Sequence, residues 1–214
     1  MLTSALAGLG LGLSLIVAIG AQNLFVLRQG LRREHVLAIA VICTLSDALL
    51  IVLGVSGIGL ALHALPQLVT LVRWMGAAFL LGYSAMALRR AVRPTGAALR
   101  VRAAGTSPAP GGTAVATRTA LAPAVLTCLA LTWLNPHVYL DTVFLLGSVA
   151  STHGAGRWAF ALGAMVASAL WFFSLAFGAR LLGRLLATPR AWRVLDAVIA
   201  VIMIALAVHL AFPG

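Results

Sequence analysis

Six long apolar runs constrain this chain more than any other feature; they fall at roughly 4–27, 36–60, 68–88, 121–149, 158–180 and 194–212. About 20 consecutive apolar residues let a helix cross a hydrocarbon core about 30 Å thick. Lipid offers no hydrogen bonds to bare backbone, so spanning runs of this length fold as helices. The chain therefore reads as an all-α polytopic membrane protein, a single bundle of six transmembrane helices. Composition agrees, with 62% of residues hydrophobic and 9% charged, against about 25% charged in soluble domains. The first run is not expected to be a signal peptide. No Arg or Lys precedes it, and it is longer than a cleaved apolar segment needs to be.

The net charge of +11 invites a nucleic-acid reading, but its distribution opposes one. Every basic residue is Arg, and 13 of the 15 fall on alternate connections. Arg28, Arg32 and Arg33 follow the first run; Arg89, Arg90, Arg93, Arg100, Arg102 and Arg118 follow the third; Arg180, Arg184, Arg190 and Arg193 follow the fifth. Arg73 and Arg157 lie on the opposite side. Arginine-rich connections stay in the cytoplasm, so both termini are expected outside it. Trp74, Trp158 and Trp192, at the starts of runs, fit an interfacial aromatic belt. Cys43 and Cys128 fall inside apolar runs and read as small packing residues.

The segment from Arg89 to Arg118 is rich in Gly, Pro, Ala and Thr and has no apolar period. It is expected to be a flexible basic cytoplasmic linker. It divides the chain into a first three-helix repeat (1–88), the linker (89–120) and a second three-helix repeat (121–214). Three is odd, so the halves run in opposite directions through the bilayer, as inverted repeats of secondary transporters do. In each half the first span carries a polar break, GAQN at 20–23 and LNPH at 134–137. Helices 1 and 4 are thus expected to be broken.

Polar groups at membrane depth are costly and mark function. Asp47 lies about 16 Å into the second run at about 1.5 Å per residue, near the bilayer midplane. In the fourth run Pro136 lacks a backbone N–H and breaks the helix, freeing the carbonyl of residue 132. Asn135 can rebond loosened backbone or bind solute. His137 and Asp141 are four residues apart, which puts them on one helical face. In the first run Gly20 permits a bend, while Gln22 and Asn23 supply amide donors and acceptors. Arg28 reads as an interface anchor, Asp196 as an interfacial ion pair beside Arg193, and Glu34 as a solvated cap. His63, His153 and His209 receive no role.

The strings GAQNLFVLRQGLRR, SDALLI around Asp47, TWLNPHVYLDTVFLLGS and the RWAFALG and ASALWFF segments resemble the lysine/arginine exporter family (LysE/ArgO type). The resemblance covers the chain apart from the 89–118 linker and is nearest to the arginine-exporting branch. It implies a bacterial inner-membrane exporter of basic amino acids. Expected partners are L-arginine or L-lysine, protons and lipid, with a homo-oligomer as an option, and no cofactor or nucleic acid.

A net cation leaving a cell needs a driving ion, and proton antiport is the simplest. Asp47 and Asp141 are expected to receive the two cationic groups of the substrate and to carry the coupling proton. Gln22, Asn23 and the half-helix ends at Asn135–Pro136 would take its carboxylate, with His137 tuning Asp141. Three rivals compete. Asp47, Asn135, His137 and Asp141 could ligate a divalent metal for export. His137 and Asp141 could serve Ser46 in an intramembrane enzyme, although no supporting motif is present. A passive channel is the third.

Overall fold

The computed structural model describes residues 1–17, 20–57, 66–92, 120–182 and 189–211. All regular elements among them are helices: α1 (Leu2–Ile16), α2 (Ala21–Arg32), α3 (Val36–Val55), α4 (Pro66–Val92), α5 (Leu121–Trp133), α6 (Pro136–Thr152), α7 (Arg157–Leu182) and α8 (Pro189–Ala211). α3, and α7 with the short turn before it, are each long and apolar enough to cross a membrane alone. The pairs α1–α2 and α5–α6 each qualify as one span bent at a break, by 83° and 57° respectively. α4 and α8 run for 27 and 23 residues, about 40 and 35 Å at the helical rise.

Two boundaries differ from expectation. The first run is not unwound over 20–23. Gly20 is extended, α2 begins at Ala21, and Gln22 and Asn23 occupy its first turn. Helix α4 continues to Val92, so Arg89 and Arg90 are helical and not linker. The rest of the expected linker, 93–119, lies outside the described residues, as does His63.

The bundle is built around α7, which packs against α1, α2 and α3, while α4 packs along α8. α3 also contacts α5 and α6, so elements from before and after the expected linker interdigitate. Small residues permit this closeness. A Cβ on Gly54 of α3 would sit 2.7 Å from the Val143 carbonyl oxygen, and one on Gly147 of α6 would sit 2.7 Å from that of Gly54. Backbone therefore rests on backbone, which is how helices associate where lipid removes the hydrophobic drive. Gly8 and Gly163 bring α1 against α7 by the same device. Leucines 37, 45, 49, 126 and 162 stand half or more exposed, an apolar exterior that suits acyl chains and would aggregate in water.

The two breaks are mended alike. Beyond the first, Asn23 Nδ2 reaches back to donate to the Ile16 carbonyl at 2.8 Å. Beyond the second, the Tyr139 hydroxyl donates to the Trp133 carbonyl at 2.8 Å. A side chain six or seven residues downstream thus satisfies a carbonyl that the interrupted ladder frees, as an apolar medium demands. Replacing Tyr139 with Phe removes the donor and keeps the ring. We expect it to cost about 1–3 kcal/mol, read as a lower melting temperature of the purified protein in detergent.

Candidate functional site

The second break shows why LNPH folds as it does. Asn135 is extended and caps α6, its Oδ1 accepting from the His137 backbone N–H at 3.2 Å. Pro136 takes the first helical position, where a missing N–H costs nothing. The Thr132 carbonyl, expected to be orphaned, accepts instead from the Asn135 backbone at 3.4 Å. From Tyr139 to Leu145 the helix widens into a π turn, a form that recurs at functional positions.

Asp141 falls in that π stretch, four residues beyond His137. No ion pair joins His137 to Asp141, though they remain in electrostatic reach. The His137 ring stacks on that of His209 from α8, with centroids 5.3 Å apart and planes 6° from parallel.

Asp47 is 6% exposed, and its Oδ2 accepts from the Ser168 hydroxyl of α7 at 2.8 Å. Among the described residues this carboxylate has no cationic partner. Beside it, Ser46 accepts from Trp133 Nε1 of α5 at 3.4 Å. Asn23 is occupied at both ends, since its Oδ1 also accepts from Trp171 Nε1 of α7 at 3.2 Å. Gln22 Nε2 and Thr44 Oγ1 are buried without a hydrogen-bond partner.

A narrow cleft joins the two breaks. It is lined by Ala21 after the first break, by Leu134, Asn135 and His137 at the second, and by Gly76, Phe79 and Leu80 of α4. Ala130, Leu131 and Leu206 complete it. The starts of two half-helices, α2 and α6, therefore meet one space, and helix N-termini favour anionic groups. Asp47 and Asp141 do not line this cleft.

The chain is similar along most of its length to proteins of known family. A family model described as LysE type translocator matches residues 13–214. The chain belongs to that family. Relatives of this LysE type translocator include the lysine exporter LysE of Corynebacterium glutamicum, 37% identical over 98% of each chain. The arginine exporter protein ArgO of an Enterobacter species is 41% identical over all of this chain and 96% of its own. A Mycobacterium tuberculosis protein, named only as a candidate amino-acid transporter, is 47% identical over 92% of this chain and 90% of its own. No solved structure matches. Family and apolar helices together make this translocator a multi-pass membrane protein.

Several partners in this LysE type translocator escaped the sequence reading. Arg28, read as an interface anchor, is 6% exposed and forms an ion pair with Asp196 of α8 at 2.8 Å. Asp196, expected to pair beside Arg193, is likewise buried and pairs with Arg28, while Arg193 is exposed. Glu34 pairs with Arg32 at 3.4 Å. The Sγ atoms of Cys43 and Cys128 touch at 3.1 Å, both fully buried. Arg73 lies over Trp74 and Arg157 over Trp158, and both rings are exposed; the Trp192 side chain lies outside the described residues.

Proposed function

We propose that the chain exports basic L-amino acids, arginine and lysine, from the cytoplasm across the bacterial inner membrane in exchange for protons. The observation that carries this reading is Asp47, a buried carboxylate bonded to a hydroxyl and to no cation among the described residues. Nearly full-length relatives named as lysine and arginine exporters support the substrate class. In this reading α4 and α8 complete six spans and the halves form inverted repeats. Packing of the fourth span on α3 and of the first on α7 supports the repeat, because each half then sets its broken span against the other half's second span. The arginine-rich connections face the cytoplasm and both termini face outward.

In the proposed cycle Asp47 receives the side-chain cation. Gln22 Nε2 is a buried donor without a partner, and with the N-termini of α2 and α6 it takes the substrate carboxylate at the cleft. Asn23 contributes by holding the break in shape. Asp141 and His137 lie on the outward half of the path, where Asp141 offers a second negative site. Protonation of Asp47 or Asp141 from outside releases the substrate. Divalent-metal export has less support: among the described residues no three His, Cys, Asp or Glu side chains gather, and the relatives cited are named for amino acids.

Everted vesicles test the reading. With the proton gradient imposed, vesicles bearing the chain should accumulate labelled arginine, and dissipating the gradient should stop accumulation. Arginine movement that ignores the gradient would leave a passive channel; metal protection without arginine movement would replace the reading altogether.

A further inference from the structure

Each break in the bundle is tied to the surroundings of Asp47 by one tryptophan, and the export cycle has so far used neither ring. Just past the first break, Asn23 accepts from Trp171 Nε1 of α7 at 3.2 Å. Trp171 stands three residues after Ser168, so the two share a face of α7, and Ser168 donates to Asp47 at 2.8 Å. At the second break Trp133 ends α5. Its Nε1 donates at 3.4 Å to Ser46, the residue before Asp47. The cleft between the breaks is lined by close neighbours of these groups, Leu134 next to Trp133 and Ala21 two residues before Asn23. Two indoles therefore link the cleft to the Asp47 carboxylate, one at each break.

Their N–H groups are spent on these anchors, which hold the rings in place and leave the ring faces to other contacts. Both side chains are partly buried. Among the described residues neither ring stacks on an aromatic side chain or carries a cation. Trp74 and Trp158 differ, since each lies under its own arginine. An indole face attracts a cation, most strongly where water is excluded. A planar, weakly hydrated guanidinium stacks on such a face better than a compact ammonium does.

We propose that Trp133 and Trp171 form the aromatic part of the side-chain subsite, receiving the guanidinium of arginine on their faces as it reaches Asp47, and that they set a preference for arginine over lysine. The inference rests on the basic amino acid reading and names the residues that choose within that class. With the substrate carboxylate held at the half-helix ends of the cleft, the side chain runs past the two rings to Asp47. The Asp47 carboxylate attracts either cation, and the ring faces favour the flat one.

The test measures labelled arginine uptake into everted vesicles, and its inhibition by lysine, for wild type, Trp133→Leu, Trp171→Leu, Trp133→Phe and Trp171→Phe. The melting temperature in detergent is recorded for each. Each leucine variant should raise the KM for arginine about ten-fold, equivalent to about 1.4 kcal/mol, as loss of a desolvated cation–ring contact implies. The inhibition constant of lysine should change by about three-fold or less, because the ammonium relies on Asp47. Each phenylalanine variant loses the N–H anchor but keeps a ring face, and should stay within about three-fold of wild type for arginine. A purely structural tryptophan would weaken arginine and lysine alike, so an unchanged preference in both leucine variants overturns the proposal. Should the leucine variants fail to fold, tryptophan emission decides. The chain has five tryptophans, and these two should report the ligand. Saturating arginine should change the emission of detergent-solubilised wild type and leave that of the double variant, Trp133→Phe with Trp171→Phe, unchanged. No response from wild type, or a full response from the double variant, overturns the proposal. A wild-type chain that neither binds nor moves a basic amino acid removes the parent reading as well, which separates the two failures.

Discussion

Replacing Asp47 with Asn should reduce proton-driven arginine accumulation by about 100-fold, the equivalent of a charge-assisted contact of about 3 kcal/mol. The folded protein should survive, because the amide oxygen of Asn can still accept from Ser168, which bonds Asp47 Oδ2 at 2.8 Å. Transport and melting temperature must therefore separate: activity lost, stability close to wild type. Asp141→Asn is the comparison. Asp141 is only partly buried and lies on the π turn, outside the cleft that joins the breaks. Its loss should cost about ten-fold, roughly one charge contact at a more solvated position. Full transport by both variants would sink the proposed cycle.

The second large effect is structural. Gly54→Val should abolish the folded state by forcing α3 away from α6. The added carbon would begin 2.7 Å from the Val143 carbonyl and 2.9 Å from that of Thr142. Those atoms are backbone and cannot step aside as a flexible side chain can. Overpacking of a core commonly costs 1–3 kcal/mol, and here both partners are main chain, so about 4 kcal/mol or more is expected. Gly147→Val meets the Gly54 carbonyl at the same 2.7 Å and should behave alike. The measurement is the fraction recovered as a monodisperse species after detergent extraction. Gly82 is the control, because a Cβ there meets nothing within 4 Å, and Gly82→Ala should extract normally.

Sequence reasoning located what depends on local chemistry. Pro136 announces its own break, because a residue without an N–H cannot continue the ladder. Apolar runs of spanning length announce α3 and α7 without help from neighbours. Asp47 is conspicuous because a carboxylate amid leucines has to be explained by something. The start of α2 was harder. Gln22 and Asn23 drew attention by polarity, yet amides sit comfortably in a first helical turn, and the interruption falls just before them.

What stayed invisible depends on approach in space. Ser168 is 121 residues from Asp47, Trp171 is 148 from Asn23, and the two cysteines are 85 apart. Nothing local marks such partners. His209 looked like an ordinary end-of-helix residue until its ring lay flat on His137. His137 and Asp141 stay in electrostatic reach, as a spacing of four suggests, without forming an ion pair.

The Arg157–Trp158 contact at the start of α7 supplies an electrical scale for the molecule. An exposed Trp under an Arg marks the interfacial layer. Ser168 lies ten residues farther along the same helix, about 15 Å at the helical rise, and it holds Asp47. The carboxylate thus sits about halfway through a core some 30 Å thick. A charge crossing the whole membrane field exchanges about 2.3 kcal/mol per 100 mV. A proton travelling from the outer surface to Asp47 would then collect about half of that, and would deliver the remainder on its way to the cytoplasm. In the proposed antiport the work of the membrane voltage would thus be divided almost equally between the two half-reactions, so neither loading nor release of this carboxylate would be indifferent to potential.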